Sequence, residues 1–128
     1  MKQIEQAVLK FLQERKWDNL RPGDLAKSIS IEAGELLELF QWSNPELADV
    51  RNDPVKIEAI KKELADILIY SFDTAVLLGI DVEEIVREKF EYISKKYPAD
   101  LMRERSGQEP GTESLYWKIK KEHRQKSD

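Results

Sequence analysis

Two pairs of acidic residues carry the chemistry that the chain can offer. Glu32-Ala33-Gly34-Glu35 and Glu63-Leu64-Ala65-Asp66 share an acid-x-x-acid spacing, with 27 residues between Glu35 and Glu63. On a helix, positions i and i+3 differ by about 60° around the axis, so each pair projects from one face. Like charges on adjacent turns repel, and an exposed helix tolerates this easily. Asp66, however, sits in Leu64-Ala65-Asp66-Ile67-Leu68-Ile69-Tyr70, and Glu35 precedes Leu36, Leu37, Leu39 and Phe40. No Lys or Arg occurs between Glu63 and Val86 to neutralise Asp66 from the same segment. Four carboxylates without imidazole or thiolate make a hard oxygen site of the kind that suits Mg²⁺ or Mn²⁺. A solvated stripe of helix-surface glutamates is the competing reading. Glu38 and Asp73 fall on the same faces and raise the same question.

Helical periodicity supplies the elements to hold these pairs. Ile4, Val8, Phe11 and Leu12 line one face of a first helix ending near Lys16. Arg21-Pro22-Gly23 punctuates the chain, and Asp24 is read as the N-cap of a second helix running to about Trp42. Asn44 and Pro45 open a short helical turn through Val50, and Asp53-Pro54 opens a third helix reaching Leu78. Gly79 suits the position after its end. Asp81, with Glu84 three residues on, starts a fourth helix that stops before Tyr97-Pro98. The expectation is an all-α, four-helix bundle with short loops. The third helix reads as apolar on nearly every side, so a homodimer or homotetramer is expected to complete the bundle.

Composition removes many alternatives. With no Cys and a single His, His123, the chain has no disulfide scaffold, zinc cluster or Ser-His-Asp triad. Charged residues reach 36% and the net charge is −4, which argues against a protein that grips nucleic acid. No apolar run approaches a membrane span of about 18 residues, and MKQIEQAVLK lacks the layout of a signal peptide. A cytoplasmic location is expected. Residues 1–103 are read as the helical domain and 104–128 as a polar, basic extension. Arg103 to Gly111 reads as a linker into the extension, and the stretch from Leu115 as one or two helical turns. From Leu115 the chain carries Lys118, Lys120, Lys121, Arg124 and Lys126 against Glu122 and Asp128, a local net of +3. A solvated tail is the simplest account, and His123 is not read as catalytic.

The blocks EAGELLELFQW (Glu32–Trp42) and ELADILIY (Glu63–Tyr70), with KYP (Lys96–Pro98), resemble the MazG-like nucleoside triphosphate pyrophosphohydrolases. The compact dCTP pyrophosphatase branch is the most similar, over about residues 10 to 103. The resemblance implies an all-α, oligomeric, Mg²⁺-dependent enzyme that splits a (deoxy)nucleoside triphosphate into the monophosphate and pyrophosphate. It places Glu32, Glu35, Glu63 and Asp66 on the metal ligands, and Trp17, Trp42 and Tyr70 on aromatic positions of the nucleobase and sugar pocket. Lys89 matches a basic position that meets phosphate. For Trp42, core packing is an equal alternative. Two departures bear on specificity: Ile93 stands where the dCTP branch carries Asn, and Arg21-Pro22-Gly23-Asp24 replaces a His-containing connection.

The implied metal neutralises the triphosphate, activates water and stabilises the departing pyrophosphate. Glu35, central on its helix face, is the candidate to orient or deprotonate the attacking water. Nucleotide-pool housecleaning is the implied role. A relative acting on dUTP, dUDP or phosphoribosyl-ATP, and a non-enzymatic helical interaction module, stand as alternatives.

Overall fold

The computed structural model describes residues 2–104 and 115–127, and among these every regular element is an α-helix. They are α1 (Lys2–Glu14), α2 (Pro22–Glu38), α3 (Leu47–Arg51), α4 (Pro54–Leu78), α5 (Val82–Lys96), α6 (Ala99–Glu104) and α7 (Leu115–Ser127). The chain divides into two compact units, Met1–Glu83 and Glu84–Asp128. In the first, α4 is the central element and packs against α1, α2 and α3. Val8 and Leu12 of α1 meet Phe72 of α4 in a small core, flanked by Val76, Leu77 and Val82. In the second, the Tyr92 hydroxyl of α5 lies 2.6 Å from His123 Nδ1 of α7.

Local signals explain the helix ends. The Asp53 side chain accepts from the Lys56 N–H at 3.1 Å, with Pro54 opening α4 as expected from the sequence. Gly79, at φ 68°, closes α4: its N–H reaches the Val76 carbonyl, and the Ile80 N–H reaches Ala75. This paired closure needs a left-handed residue, which glycine adopts without steric cost. The same closure ends α1. Lys16 N–H bonds to Gln13 O, Trp17 N–H bonds to Leu12 O, and Lys16 takes the left-handed conformation at φ 59°. Trp17 is thereby held against the end of α1.

Several boundaries differ from the sequence reading. Helix α2 begins at Pro22 with Arg21 as its N-cap, and Asp24 lies in its first turn. The fixed φ of proline suits that first position, so it sets the start. The far end stops at Glu38 rather than Trp42. There the amides of Leu39, Phe40 and Gln41 bond three residues back, tightening the chain into a turn. The Lys56 ammonium of α4 donates to the Leu39 carbonyl and lies 4.9 Å from the Phe40 ring centroid, fastening that end. The turn expected from Asn44 starts later, at Leu47, with Glu46 as N-cap. From Leu115, 13 residues of helix replace the expected one or two turns. Of the linker expected from Arg103 to Gly111, Arg103 and Glu104 instead close α6, and residues 105–111 lie outside the described residues.

The third helix of the sequence reading, apolar on nearly every side, is α4, and within one chain it is only partly covered. Only Phe72, Asp73 and Ala75 of α4 are buried, while Leu64, Leu68 and Ile69 are about half exposed. One chain has too few neighbouring helices to cover this surface.

Candidate metal centre

Helices α2 and α4 bring the two acidic pairs together. One carboxylate oxygen from each of Glu32, Glu35, Glu63 and Asp66 lies within 4.8 Å of the other three. All four residues are partly buried, whereas Glu38 is exposed. Spacing by i, i+3 puts each pair on the face that its helix turns toward the other. The packing of α2 on α4 then converts two surface stripes into one cluster.

The electrostatics of the cluster are unfavourable in the absence of a cation. Glu32 is pushed up to about 7 from an ordinary 4.5, first by its hydrogen bond with Glu35. Lost hydration and the charges of Glu35, Asp66 and Glu63 add to that shift. Glu63 is also raised, by burial first, then by the hydrogen bond and charge of Glu35, with Lys62 opposing. Glu35 is thus the hub to which both neighbours turn. Glu32 Oε2 and Glu63 Oε2 are buried with no hydrogen-bond partner. Buried acceptors normally find donors, so two orphaned oxygens in one cluster are unusual.

These features fit a divalent cation. The donors are all carboxylate oxygens, the preference of Mg²⁺ and Mn²⁺. Opposite ligands of Mg²⁺ stand about 4.2 Å apart, twice a Mg–O distance of about 2.1 Å. A cluster whose oxygens lie within 4.8 Å of one another therefore contracts by about 0.6 Å or more to close on the ion. The acidic cluster can hold a metal ion.

A cavity of about 390 Å³ opens beside the cluster and shares Asp66 with it. Phe11, Trp17, Leu20, Tyr70 and Asp73 are among its other walls. The Phe11 and Trp17 rings meet edge to face, 6.0 Å between centroids. Two of the aromatic residues singled out in the sequence, Trp17 and Tyr70, therefore share one wall system with a cluster carboxylate. Trp42 does not. It lies beyond the end of α2 at 89% exposure, so the core-packing alternative fails for this chain. Lys89 is on α5 in the second unit, exposed, with its ammonium 5.2 Å from the Tyr92 ring centroid. Phe11, expected on a core face, and Asp73, whose role its position on the face of Asp66 does not decide, both line the cavity. The coincidence of Asp73 with the Asp66 face of α4 was the available signal.

Comparison with known proteins agrees with this arrangement. The family model described as MazG-like matches residues 27–109. dCTP pyrophosphatase 1 of Homo sapiens is 32% identical over 108 residues, covering 83% of this chain and 64% of that protein. The Mus musculus protein is 32% identical over 105 residues, covering 80% and 62%. The chain thus spans less than two thirds of the length of these relatives. A solved pyrophosphatase from Archaeoglobus fulgidus superposes with a TM-score of 0.66 at 33% identity, covering 77% of this chain and 92% of that one. By the family match and by the acidic pairs that lie within it, the chain belongs to the MazG-like family.

Proposed function

We propose that this chain is a Mg²⁺-dependent pyrophosphohydrolase that converts a (deoxy)nucleoside triphosphate to its monophosphate and pyrophosphate, serving nucleotide-pool housecleaning in the cytoplasm. The observation that carries this reading is the four-carboxylate cluster opening through Asp66 into an aromatic-walled cavity. The relatives are named as pyrophosphatases, two of them for dCTP, which makes dCTP the first nucleotide to try.

In this mechanism Glu32, Glu35, Glu63 and Asp66 hold the cation. When bound, it neutralises phosphate charge and makes water a better nucleophile. Glu35, whose carboxylate lies within 4.8 Å of those of Glu32, Glu63 and Asp66, orients the attacking water and accepts its proton. Trp17 and Tyr70 offer ring faces to the base or sugar, and such stacking stabilises by about 1–3 kcal/mol per base. Trp42 and Lys89 are assigned to substrate on the family resemblance, Lys89 facing phosphate. Residues 1–103 form the catalytic domain and 104–128 an extension. A homodimer or homotetramer covers Leu64, Leu68 and Ile69; a monomeric mass by light scattering would refute that assembly.

The test is a screen of common and damaged (d)NTPs with and without Mg²⁺, separating pyrophosphate from phosphate among the products. Mg²⁺-dependent pyrophosphate release supports the proposal. Phosphate release, or no turnover of any nucleotide, overturns it and favours another substrate or an interaction module.

A further inference from the structure

Asp73 stands apart from the carboxylate cluster. It is 7% exposed, lines the aromatic cavity with Asp66, Trp17 and Tyr70, and has no hydrogen bond or ion pair with any described residue. Phe72 and Ala75, the other buried residues of α4, are apolar, and in a second hollow that Asp73 lines Gln3 is the one other polar residue. A buried carboxyl without a partner is costly, and sites that tolerate that cost commonly supply the partner from a ligand.

The position of Asp73 says which part of the ligand. Glu63, Asp66, Tyr70 and Asp73 are three, four and three residues apart, so they form one stripe within about 80° of the circumference of α4. Along it, Asp73 is about 10.5 Å from Asp66, with Tyr70 between them. A nucleotide with its phosphates at the Asp66 end and its ring at Tyr70 brings the edge of its base to Asp73.

We infer, building on the nucleotide reading above, that Asp73 is a specificity-determining residue whose carboxyl accepts a hydrogen bond from an exocyclic amine of the base. Cytosine, adenine and guanine carry such an amine. Where cytosine carries its amine, uracil and thymine carry a carbonyl oxygen, so an acceptor at Asp73 that reaches that position meets another acceptor. Burial raises the Asp73 carboxyl, in keeping with a group that waits for a donor. Discrimination of this kind comes from leaving polar groups unpaired with the wrong ligand, not from shape.

The experiment is calorimetric binding of dCMP, dAMP, dGMP, dTMP and dUMP to the full chain in Mg²⁺, repeated with Asp73→Asn and Asp73→Leu. Circular dichroism melts establish that each variant is folded. The wild-type chain is expected to bind the amine-bearing nucleotides at least ten-fold tighter than dTMP and dUMP. Asp73→Leu should weaken the amine-bearing set by about ten-fold. Asp73→Asn, which adds a donor while keeping an acceptor, should tighten dTMP and dUMP and so narrow the preference, an effect that a merely structural role does not produce. Equal binding of all five, binding of none, or a preference unchanged in both variants overturns the inference. Loss of pyrophosphate release with this binding pattern intact would overturn the hydrolytic reading and leave Asp73 supported.

Discussion

Glu32 Oε2 and Glu63 Oε2 are buried on neighbouring helices, and neither receives a hydrogen bond. Interaction with Glu35 is the first cause that raises the Glu32 carboxyl, whereas burial comes first for Glu63 and Glu35 second. The cluster thus trades stability for a site whose deficit a divalent cation can remove.

Neutralising one carboxylate should therefore separate stability from function. Glu35→Gln and Asp66→Asn nearly preserve volume and remove repulsion, so the metal-free variants should melt at or above the wild-type temperature. Their Mg²⁺-dependent turnover should be lost. Mg²⁺ at about 100 times its Kd should stabilise the wild-type chain by about 2.7 kcal/mol and shift Glu35→Gln far less. Thermal melts with and without Mg²⁺, run beside turnover, check both halves. Unchanged turnover in both variants would sink the metal assignment.

The raised Glu32 carboxyl sets a pH dependence. Its folded value, about 7, lies above its ordinary 4.5, so the folded state favours the protonated form. Its stability contribution is full below about 4.5 and is lost as pH rises through about 7. The Glu32→Gln variant lacks this titration. Without metal, its melting temperature should gain on the wild type steadily between those two values. Melts of the two proteins across that window, with a chelator present, test the sign. A difference independent of pH would refute it.

Much of this site was legible before any coordinates. The acid-x-x-acid pairs were readable because helical spacing dictates the face, and Asp53-Pro54 and Gly79 mark helix ends by local chemistry alone. The end of α2 was not, because it depends on Lys56 reaching from α4 to the Leu39 carbonyl. Burial of Asp73 was also hidden. Periodicity tells which way a residue points, whereas depth depends on how closely α1 packs over α4. The apolar run around Asp66 promised burial that a single chain does not provide, since periodicity cannot tell a core from a surface awaiting another copy.

Lys16 offers a test of how Trp17 is held. Its left-handed conformation, φ 59°, costs a residue with a Cβ about 1 kcal/mol relative to glycine. Lys16→Gly should relieve that strain, and greater freedom of the unfolded chain offsets part of the gain. The expected net is a stabilisation of up to about 1 kcal/mol, with KM unchanged because the Trp17 N–H to Leu12 O bond survives. Urea titration reads the first and steady-state kinetics the second. A clear loss of stability would show that Lys16 does not occupy this conformation in solution.

Trp42 decides how far the resemblance extends to the substrate pocket. Were α2 to continue, the ring would stand about 15 Å along its axis from Glu32, but the helix ends at Glu38. The ring is instead 89% exposed, and it is not among the cavity walls. Truncating so exposed a side chain should change stability by no more than about 0.5 kcal/mol. Any kinetic effect of Trp42→Ala therefore reports on substrate and not on folding. If Trp42 closes over the nucleotide, KM for the preferred triphosphate should rise ten-fold or more, about 1.4 kcal/mol of lost binding, with kcat nearly unchanged. Melting temperature, kcat and KM measured on this one variant are sufficient. An unchanged KM would remove Trp42 from the substrate site and leave Phe11, Trp17 and Tyr70 as its aromatic walls.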